Sequence, residues 1–304
     1  GVTWYEHNLD EARNMLAAAG FPDGFDIELS YREVVRPYLP QPAVVAQDIQ
    51  AQLAEIGVNV TLNPMESGAF LGAIWQGLLP FHMLGWGADY PDAANFYDYH
   101  FGAGASDQFG DKFDDLTAVL SEAAGLADQA ERDVLYAEAA KLIKQHVPMI
   151  PVAHGGSGLG FRKDVTDAHA SPLGNEYFAV MDPGGRDTLV WMQNAEPIGL
   201  YCADETDAES LRACEQINES LLSYEVGGVG VEPGLATSCD PNADLTEWTC
   251  PLREGVLFHD GSTFDANDVV LSYVVQWDAA HPLHVGHTGS FTYFPYLFGQ
   301  FLTP

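Results

Sequence analysis

The sequence predicts an α/β fold with largely parallel strands, and two patterns lead to this expectation. Apolar residues alternate or run together over short segments near residues 25, 58 and 81, as in strands that are half-buried or buried. Between these segments, apolar residues recur every three or four positions from residues 42 and 67, as in amphipathic helices. Strands that alternate with helices at this spacing are joined by right-handed crossovers, which make neighbouring strands parallel.

Residues that commonly begin or end helices separate these segments. Asn8 with Glu11 forms a capping pattern, and Pro42 suits the first position of a helix. Gly20 and Gly57 are typical of the residue at which a helix ends. The elements predicted for this half are helices over residues 8–20, 42–57, 67–75, 112–124 and 132–146 and strands over residues 25–31, 58–62, 81–88 and 149–154.

A turn-rich segment from residue 164 to residue 188 contains the clearest linker of the chain, at residues 182–185. An aromatic-rich stretch at residues 291–301 is expected to pack against other parts of the protein, because large exposed apolar surfaces are uncommon. The other elements predicted beyond the linker are strands over residues 188–192 and 245–252, a tight turn over residues 258–261, and helices that begin at a Thr206–Glu209 cap and an Asp265–Asp268 cap.

The four cysteines lie in the last third of the chain and form two pairs at short separation. Without a Cys-x-x-Cys pattern, they favour disulfides over a zinc site. Four cysteines allow three connectivities, of which the sequential one is preferred here. Disulfides imply an oxidising compartment. The preferred pairs are Cys202 with Cys214 and Cys239 with Cys250.

The chain is strongly acidic, with 12 Lys and Arg against 44 Asp and Glu and a formal net charge of −32. Such a negative field repels nucleic acids and anionic membrane surfaces, so neither is a predicted partner. The sequence has no apolar run of about 18 residues and no leader before Gly1, so we expect neither a membrane span nor an unprocessed precursor. A processed or truncated product of an exported protein fits these features best.

Common motifs of catalysis and of nucleotide or metal binding are missing from the sequence. It contains no Gly-x-Ser-x-Gly or His-Glu-x-x-His pattern, and the glycine-rich residues 155–160 lack the Lys-Ser/Thr of a phosphate-binding loop. His281, His284 and His287 are evenly spaced, but a proline and a glycine between them interrupt any helix that would bring the imidazoles together. We therefore predict a binding protein rather than an enzyme, with no cofactor and no metal.

Residues 83–92 have the composition of a strand that ends at a binding surface. Their small residues allow close approach of another backbone or a ligand, and Trp86 and Tyr90 offer apolar faces with polar tips. Asp89 follows the strand, and ligands of parallel sheets collect at the carboxyl ends of the strands. The alternative is a purely structural strand–helix junction with Asp92 as the helix cap.

Three stretches carry a family resemblance. They are residues 5–60, residues 85–96 with Trp-x-Ala-Asp-Tyr-Pro-Asp, and residues 252–270 with Leu-Arg-Glu-Gly-Val-Leu-Phe-His-Asp-Gly. Together they resemble extracellular solute-binding proteins of the peptide, dipeptide and nickel class, which deliver ligands to ABC importers. The resemblance implies α/β lobes of the type II periplasmic-binding-protein kind, a peptide or other small-molecule ligand, an ABC transporter permease as partner, and a periplasmic, cell-surface or secreted location.

The order of these stretches differs from that of the family. Residues 1–183 resemble a C-terminal portion and residues 186–304 an N-terminal portion, and the middle of the family fold has no counterpart. We therefore expect a partial or a permuted fold, which an N-terminal fragment or another copy would complete. An exported assembly subunit that reuses the solute-binding fold is the competing functional interpretation.

The resemblance also implies roles for individual residues. The aspartate that matches Asp89 pairs with the α-ammonium group of a peptide ligand, and Trp86 and Tyr90 would flank that ligand. Tyr31 and Arg32, at the end of a neighbouring strand, are candidates to meet the ligand carboxylate, because a guanidinium group binds carboxylates through two parallel hydrogen bonds. The alternatives are core packing for Trp86 and a solvated strand end for Tyr31 and Arg32.

Overall fold

The computed structural model describes residues 2–156, 158–193 and 196–298, except for the side chain of Tyr296. The chain divides into two compact units, Gly1–Ser157 and Gly158–Pro304, called here the first and the second unit. This division lies before the linker at residues 182–185. The assignment of residues 1–183 and 186–304 to C-terminal-like and N-terminal-like portions stays a prediction.

The first unit has the predicted alternation of strands and helices. Helix N-caps lie where the boundary residues place them: the side chain of Asn8 accepts a hydrogen bond from the Glu11 amide, and that of Asp128 accepts one from the Glu131 amide. Pro42 is the first residue of its helix, as predicted. The elements of this unit are α1 (Leu9–Ala18), β1 (Phe25–Arg32), α2 (Pro42–Ala54), β2 (Val58–Met65), α3 (Ser67–Trp75), α4 (Asp98–Phe101), α5 (Asp114–Ala124) and α6 (Gln129–His146).

Strands β1 and β2 form a parallel pair, which confirms the predicted strand direction. Their register runs from Phe25 opposite Val58 to Arg32 opposite Met65. Helix α2 packs its buried Ala46 against apolar side chains from both strands. Helices α5 and α6 form a second apolar cluster, around Leu116, Leu120, Tyr136, Ala139 and Ile143. Burial of these apolar faces is the main source of stability for the unit.

The strand predicted over residues 81–88 is wrong in extent. This segment pairs with β1 at one point, where the Ser30 amide donates to the Phe81 carbonyl and the Met83 amide to the Ser30 carbonyl, both at 3.0 Å. Beyond it the backbone leaves the sheet, because Gly85 packs against the ring of Tyr38 and because Trp86 and Asp89 bond to a later turn. A strand needs a neighbouring ladder of hydrogen bonds, which residues 84–88 do not make in the structure described.

Two further predicted strands are wrong. Residues 149–154 and 188–192 are apolar, but neither forms a ladder with a neighbour in the described part of the chain. Val190 and Met192 are 80% and 91% exposed, whereas Trp191 between them packs against Phe178. The alternation of side chains is thus present at 188–192 without the partner strand that would make it a β-strand.

The second unit is built from short elements and two disulfides. The structure confirms the sequential pairs Cys202–Cys214 and Cys239–Cys250. One helix differs from the prediction at both ends: Asp207 rather than Thr206 caps it, and it stops at Ile217 instead of continuing to residue 221. The elements are α7 (Ala208–Ile217), β3 (Leu222–Tyr224), β4 (Val231–Pro233), β5 (Asp240–Pro241), β6 (Trp248–Thr249), α8 (Ala266–Trp277) and α9 (Tyr293–Phe298).

Other predictions for this unit are partly or fully confirmed. The strand over residues 245–252 shrinks to β6, the turn at 258–261 closes with a bond from the Gly261 amide to the Phe258 carbonyl, and Asp265 with Asp268 forms a capping box. The aromatic stretch does pack, since Phe291 and Phe294 are buried; residues 299–301 lie outside the described residues. No helix of the described ranges combines the length and apolar character needed to cross a membrane.

Candidate functional site

The residues that follow the single bridge to β1 form the candidate site, which we call the mouth segment (residues 85–92). Its central side chain is Trp86, which is half-buried. The indole stacks on Tyr99 with ring centroids 4.5 Å apart and forms an edge-to-face pair with His100 at 4.9 Å. Stacked and edge-to-face pairs at these distances are favourable beyond simple burial. Trp86 is therefore anchored on one side by a layer of aromatic rings.

Asn95 closes the mouth segment with three hydrogen bonds. Its Oδ1 accepts from Trp86 Nε1 and from the Asp89 amide, both at 3.0 Å. Its Nδ2 donates to Asp89 Oδ2 at 3.3 Å. Asn95 is 1% exposed, whereas Asp89 is exposed. The buried amide thus sets the position of an exposed carboxylate.

A bidentate ion pair holds the turn that carries Asn95. Asp92 caps this short 3-10 turn (Ala93–Asn95) by accepting from the Ala94 amide, the capping role that it has in the structural alternative to a binding surface. Arg132 of α6 donates to both oxygens of Asp92, at 2.6 and 2.7 Å. Burial opposes ionisation of Asp92, but the bonds from Arg132 and Ala94 outweigh it, so its pKa lies below the ordinary value. A paired charge of this kind fixes geometry through two parallel bonds.

The same arginine is linked to a second carboxylate. Arg132 Nη2 donates to the hydroxyl of Tyr136 at 3.3 Å, and that hydroxyl donates to Asp98 Oδ2 at 3.0 Å. Burial raises the pKa of Tyr136 to about 12 and also raises the pKa of Asp98. Helix α6 therefore holds both ends of residues 92–98, the stretch that positions Asn95.

The two glycines of the mouth segment have different surroundings. A Cβ on Gly85 would collide with the ring of Tyr38, so this position requires glycine. A Cβ on Gly87 would meet nothing within 4 Å, and Gly87 is exposed. The backbone at Gly87 is therefore open to approach from outside, next to Trp86 and Asp89.

Tyr31 and Arg32 lie at the end of β1 on opposite faces. Tyr31 is 4% exposed and belongs to the apolar cluster of the sheet. Arg32 is half-buried and donates to Ser67 Oγ at 3.2 Å and to the Tyr38 hydroxyl at 3.0 Å. Because the Tyr38 ring lies against Gly85, Arg32 is connected to the mouth segment, whereas the Tyr31 side chain lies in the core.

The remaining predicted residue, Tyr90, is half-buried, and its carbonyl accepts from the Asp92 amide at 2.9 Å. The roles predicted for Asp89, Trp86, Tyr90, Tyr31 and Arg32 stay predictions. Sequence reasoning missed Asn95, Tyr99 and Arg132. The three-residue spacing from Asp92 could have pointed to Asn95, but nothing local in the sequence pairs Asp92 with Arg132.

An aromatic layer that contains two histidines supports the mouth segment. His100 contacts Trp86 and Phe109, and His82 contacts Phe109 and Phe70. Burial lowers the pKa of His100 to about 4 and lowers the pKa of His82. His100 Nδ1 is 2.8 Å from Gln108 Nε2. Both imidazoles are thus held neutral inside the layer at neutral pH.

Two surface hollows lie elsewhere in the first unit. One of about 260 Å³ is lined by Glu33, Val35, Gln41, Pro42, Ala43 and Val44. The other, of about 10 Å³, lies beside Phe109 and Phe113. Neither is lined by Trp86 or Asp89, so the candidate site is not one of these hollows.

The three evenly spaced histidines of the second unit contact other groups of that unit. His284 Nδ1 is 2.7 Å from the Val275 carbonyl, and His281 Nδ1 accepts from the Leu283 amide. His287 Nδ1 lies 3.8 Å from a carboxylate oxygen of Glu205. Within the described ranges, three or more His, Cys, Asp or Glu side chains do not converge in a way that could hold a metal ion.

Comparisons with known proteins bear on the fold and the family. Heme-binding protein A of Haemophilus influenzae is 30% identical over 185 residues, which are 60% of this chain and 34% of that protein. The dipeptide-binding protein of Escherichia coli is 30% identical over 181 residues, which are 57% of this chain and 33% of that protein. This chain therefore spans about a third of the length of these curated relatives.

Solved structures give similar partial matches. The periplasmic binding protein DppA of Helicobacter pylori, in complex with the peptide STSA, is 29% identical, with a TM-score of 0.44 over 49% of this chain and 29% of that one. A dipeptide-binding protein from Pseudoalteromonas, in complex with Met-Leu, is 29% identical, with a TM-score of 0.46 over 48% of this chain and 30% of that one.

A family model decides the assignment. The model described as bacterial extracellular solute-binding proteins, family 5 Middle, matches residues 2–108 and 230–287. The first range includes the mouth segment, Asn95 and β1, and the second includes the Asp265–Asp268 cap. The matched residues are more than half of the 304 in the chain, which therefore belongs to the family 5 bacterial extracellular solute-binding proteins.

Proposed function

We propose that this chain is the extracytoplasmic solute-binding component of an ABC import system, or a part of one, and that it binds peptides or similar small solutes. Membership of the family supports the class of function, and relatives named as dipeptide-binding support the class of ligand. The observation that carries the proposal is the exposed carboxylate of Asp89, oriented by the buried Asn95 beside the indole of Trp86.

The charge, the aromatic rings and the open backbone of the mouth segment suit the amino terminus of a peptide. An α-ammonium group bonds to a carboxylate through charge-assisted hydrogen bonds, the role proposed for Asp89. The indole of Trp86 offers an apolar face next to that charge, and Gly87 leaves the backbone accessible to the ligand. Tyr90 would flank the ligand on the other side. Binding of this kind needs no bond making or breaking, so the proposed role is capture between lobes rather than catalysis.

Arg32 is the proposed contact for a ligand carboxylate. Its guanidinium group has five donor hydrogens, and two of its nitrogens already donate to Ser67 and Tyr38. These bonds hold the guanidinium plane in place while leaving donor capacity. Tyr31, whose ring is in the core, would act on the ligand only through the position of its neighbour Arg32.

We propose an ABC transporter permease as a partner and an oxidising extracytoplasmic compartment as the location. The two disulfides support the compartment, since such bonds persist outside the cytosol. Because the chain spans about a third of its relatives, a further polypeptide segment, either an N-terminal fragment or another copy, is proposed to complete the ligand envelope.

The substitution Asp89→Asn tests the site, because it keeps the shape of the side chain and removes its charge. Dipeptides with a free amino terminus are expected to lose at least tenfold in affinity, measured by calorimetry, since pairing with a charged group is worth about 1.5–3 kcal/mol. Asp48→Asn, on the exposed surface of α2, is the matched control and should bind like the unmodified chain. N-acetylated dipeptides should bind weakly to all three proteins.

Two results would contradict the proposal. Equal affinity of Asp89→Asn and the unmodified chain for free-amine dipeptides would remove Asp89 from the site. A chain that native mass spectrometry shows to be an obligate multimer, and that no dipeptide stabilises against heat, would instead favour an assembly subunit.

A further inference from the structure

We infer that Asn95 is the positioning residue of the binding site, which it builds by fixing both the carboxylate of Asp89 and the indole of Trp86. This inference rests on the proposed function of the mouth segment. Neither of the two ligand-facing groups is held by its own sequence neighbours alone. One buried amide bonds to both of them, from a turn that lies six to nine residues further along the chain.

The three bonds of Asn95 use both ends of its amide group. The acceptor oxygen bonds to the indole N–H and to the Asp89 backbone, which closes the segment between Trp86 and Asp89 into a loop. The donor nitrogen bonds to the Asp89 carboxylate. A side chain that only accepts, or only donates, could not make all three bonds. The chemistry of the site therefore calls for an amide at this position.

The surroundings of Asn95 make its position stable. It is buried, its backbone amide donates to the Asp92 carbonyl at 3.1 Å, and Asp92 is held by two short bonds from Arg132. Charged or titratable groups near the loop include Asp89 itself, Tyr90, Tyr99 and His100, the Tyr38 ring beside Gly85, and the pair of Asp92 and Arg132. Asp89 contributes to the raised pKa of Tyr99, where burial is the larger cause.

The substitution Asn95→Asp tests whether Asn95 positions Asp89 through its hydrogen bonds or only fills space beside it. It preserves size and the acceptor oxygen, but it replaces the donor to Asp89 with a second carboxylate. Two carboxylates in contact cannot both ionise readily, so one of them takes up a proton well above its usual pKa range. When protonated, the new side chain can again donate to Asp89. We therefore expect dipeptide affinity at least tenfold below that of the unmodified chain at pH 7.0, where the ligand's amino group is still charged, with recovery to within about threefold at pH 5.5.

The unmodified chain should show no such recovery over the same pH range. His100 stays neutral throughout, because its pKa lies near 4. Asn63→Asp is the control, since Asn63 also donates to a carboxylate, Glu28 Oε1 at 2.7 Å, but lies on β2 away from the mouth segment. That variant should have the affinity and pH profile of the unmodified chain. An Asn95→Asp variant with unchanged affinity and a flat profile would overturn the inference.

The indole N–H of Trp86 gives a readout that needs no ligand. In NMR spectra, with the signal assigned through Trp86→Phe, it should exchange slowly with solvent in the unmodified chain and at least tenfold faster in Asn95→Ala. In Asn95→Asp its chemical shift should titrate together with the affinity. An indole signal that is identical in all variants would overturn the inference even if no dipeptide bound.

The failures of the two proposals are distinguishable. If no dipeptide binds or stabilises the unmodified chain, the proposed function is wrong, whatever the Trp86 signal shows; if Asp89→Asn binds dipeptides normally, Asp89 is not part of the site. If Asp89→Asn loses binding while Asn95→Asp and Asn95→Ala keep it, the function stands and Asn95 is not its positioning residue. Circular dichroism and thermal unfolding of each variant establish that the fold is retained before affinities are compared.

Discussion

Asp204 shows at the scale of one residue how the second unit is held together. Its carboxylate is 2% exposed and accepts bonds from the Thr288 amide and hydroxyl, the Gly289 amide and the Phe291 amide, at 2.6 to 2.8 Å. Burial opposes ionisation of Asp204, but these four bonds outweigh it and lower its pKa to about 2. One side chain therefore fastens residues 288–291, where the chain enters the aromatic stretch.

Asp204→Asn should destabilise the second unit by about 3 kcal/mol, because an amide nitrogen would face backbone donors and leave some of them unpaired in a buried place. Urea unfolding followed by tryptophan fluorescence measures this loss. Asp278→Asn is the control, since the side chain of Asp278 is exposed and accepts a bond from the Ala280 amide. A loss no larger than that of the control would contradict the role assigned to Asp204.

The pH dependence follows from the lowered pKa of Asp204. The ordinary aspartate value lies near 3.9, above the folded value of about 2. The stabilisation is therefore complete above about pH 4 and is lost as the pH falls towards 2. Asp204→Asn should remove this part of the acid sensitivity.

At the scale of elements, the mouth segment begins where the chain leaves the sheet. Residues 81–83 pair with β1 at Ser30, and the chain then bends over the Tyr38 ring. The backbone of the mouth segment can therefore bond to the turn at Ala93–Asn95 instead of continuing a strand ladder. If the strand had continued, Trp86 and Asp89 would lie on opposite faces of the sheet, or their backbone groups would bond to a neighbouring strand. The bend allows one amide to bond to both.

Gly87→Val tests whether ligands approach over this bend. A Cβ at Gly87 would meet nothing within 4 Å and the position is exposed, so the thermal unfolding midpoint should change by no more than about 1 °C. The affinity for free-amine dipeptides should fall at least tenfold, because the valine would occupy the space of the ligand. Gly104→Val, at an equally open glycine of the same unit, is the control. Normal affinity of Gly87→Val would place the ligand elsewhere.

Most element boundaries of the first unit could be predicted from the sequence, because capping involves residues three or four positions apart. The Asn8–Glu11 and Asp128–Glu131 caps are examples. The predicted strands at residues 81–88, 149–154 and 188–192 were wrong because alternation and apolarity describe a strand's side chains, not its partner. Whether a ladder forms depends on a neighbour that local sequence does not specify.

At the scale of the whole molecule, the family assignment confirms the resemblance drawn from residues 5–60, 85–96 and 252–270 and the α/β class of the type II binding-protein lobes. The chain spans about a third of its curated relatives. The reversed order of its two portions stays a prediction. Ligand capture between lobes, with a further segment that completes the ligand envelope, stays a proposal.

Acid should weaken the first unit in a defined pH range. Unfolded histidine has a pKa near 6.5, and burial lowers the folded pKa of His100 to about 4. The unfolded chain therefore binds more protons between these values, so stability falls as the pH drops from 6.5 to 4, by about 3 kcal/mol for His100. The pKa of His82 is lowered in the same direction.

Urea unfolding at several pH values between 4.5 and 7.5 measures this effect. His100→Phe keeps an aromatic ring in contact with Trp86 and Phe109, and it should flatten the dependence without abolishing folding. His146→Phe is the control. His146 is the last residue of α6, and it bonds to the exposed side chain of Asp115 in α5. An unchanged slope in His100→Phe would show that another group carries the acid sensitivity.

The sequence by itself determined the features that depend on residues close together in the chain. These are the helix caps, the β1–α2–β2 unit with its parallel strands, and the preference for the sequential disulfides Cys202–Cys214 and Cys239–Cys250 over the other connectivities. Each follows from steric limits, hydrogen bonding or chain closure over a short segment. Such forces act before the tertiary structure exists.

Only the tertiary structure decided how the candidate site is built. The sequence pointed to Trp86 and Asp89, but Asn95 joins them, and Arg132 holds the turn of Asn95 from 40 positions beyond Asp92. The physical reason is that buried polar groups take whichever partner the fold brings within hydrogen-bonding distance, because an unpaired one is costly. Which partner that is depends on how α6 packs against the turn.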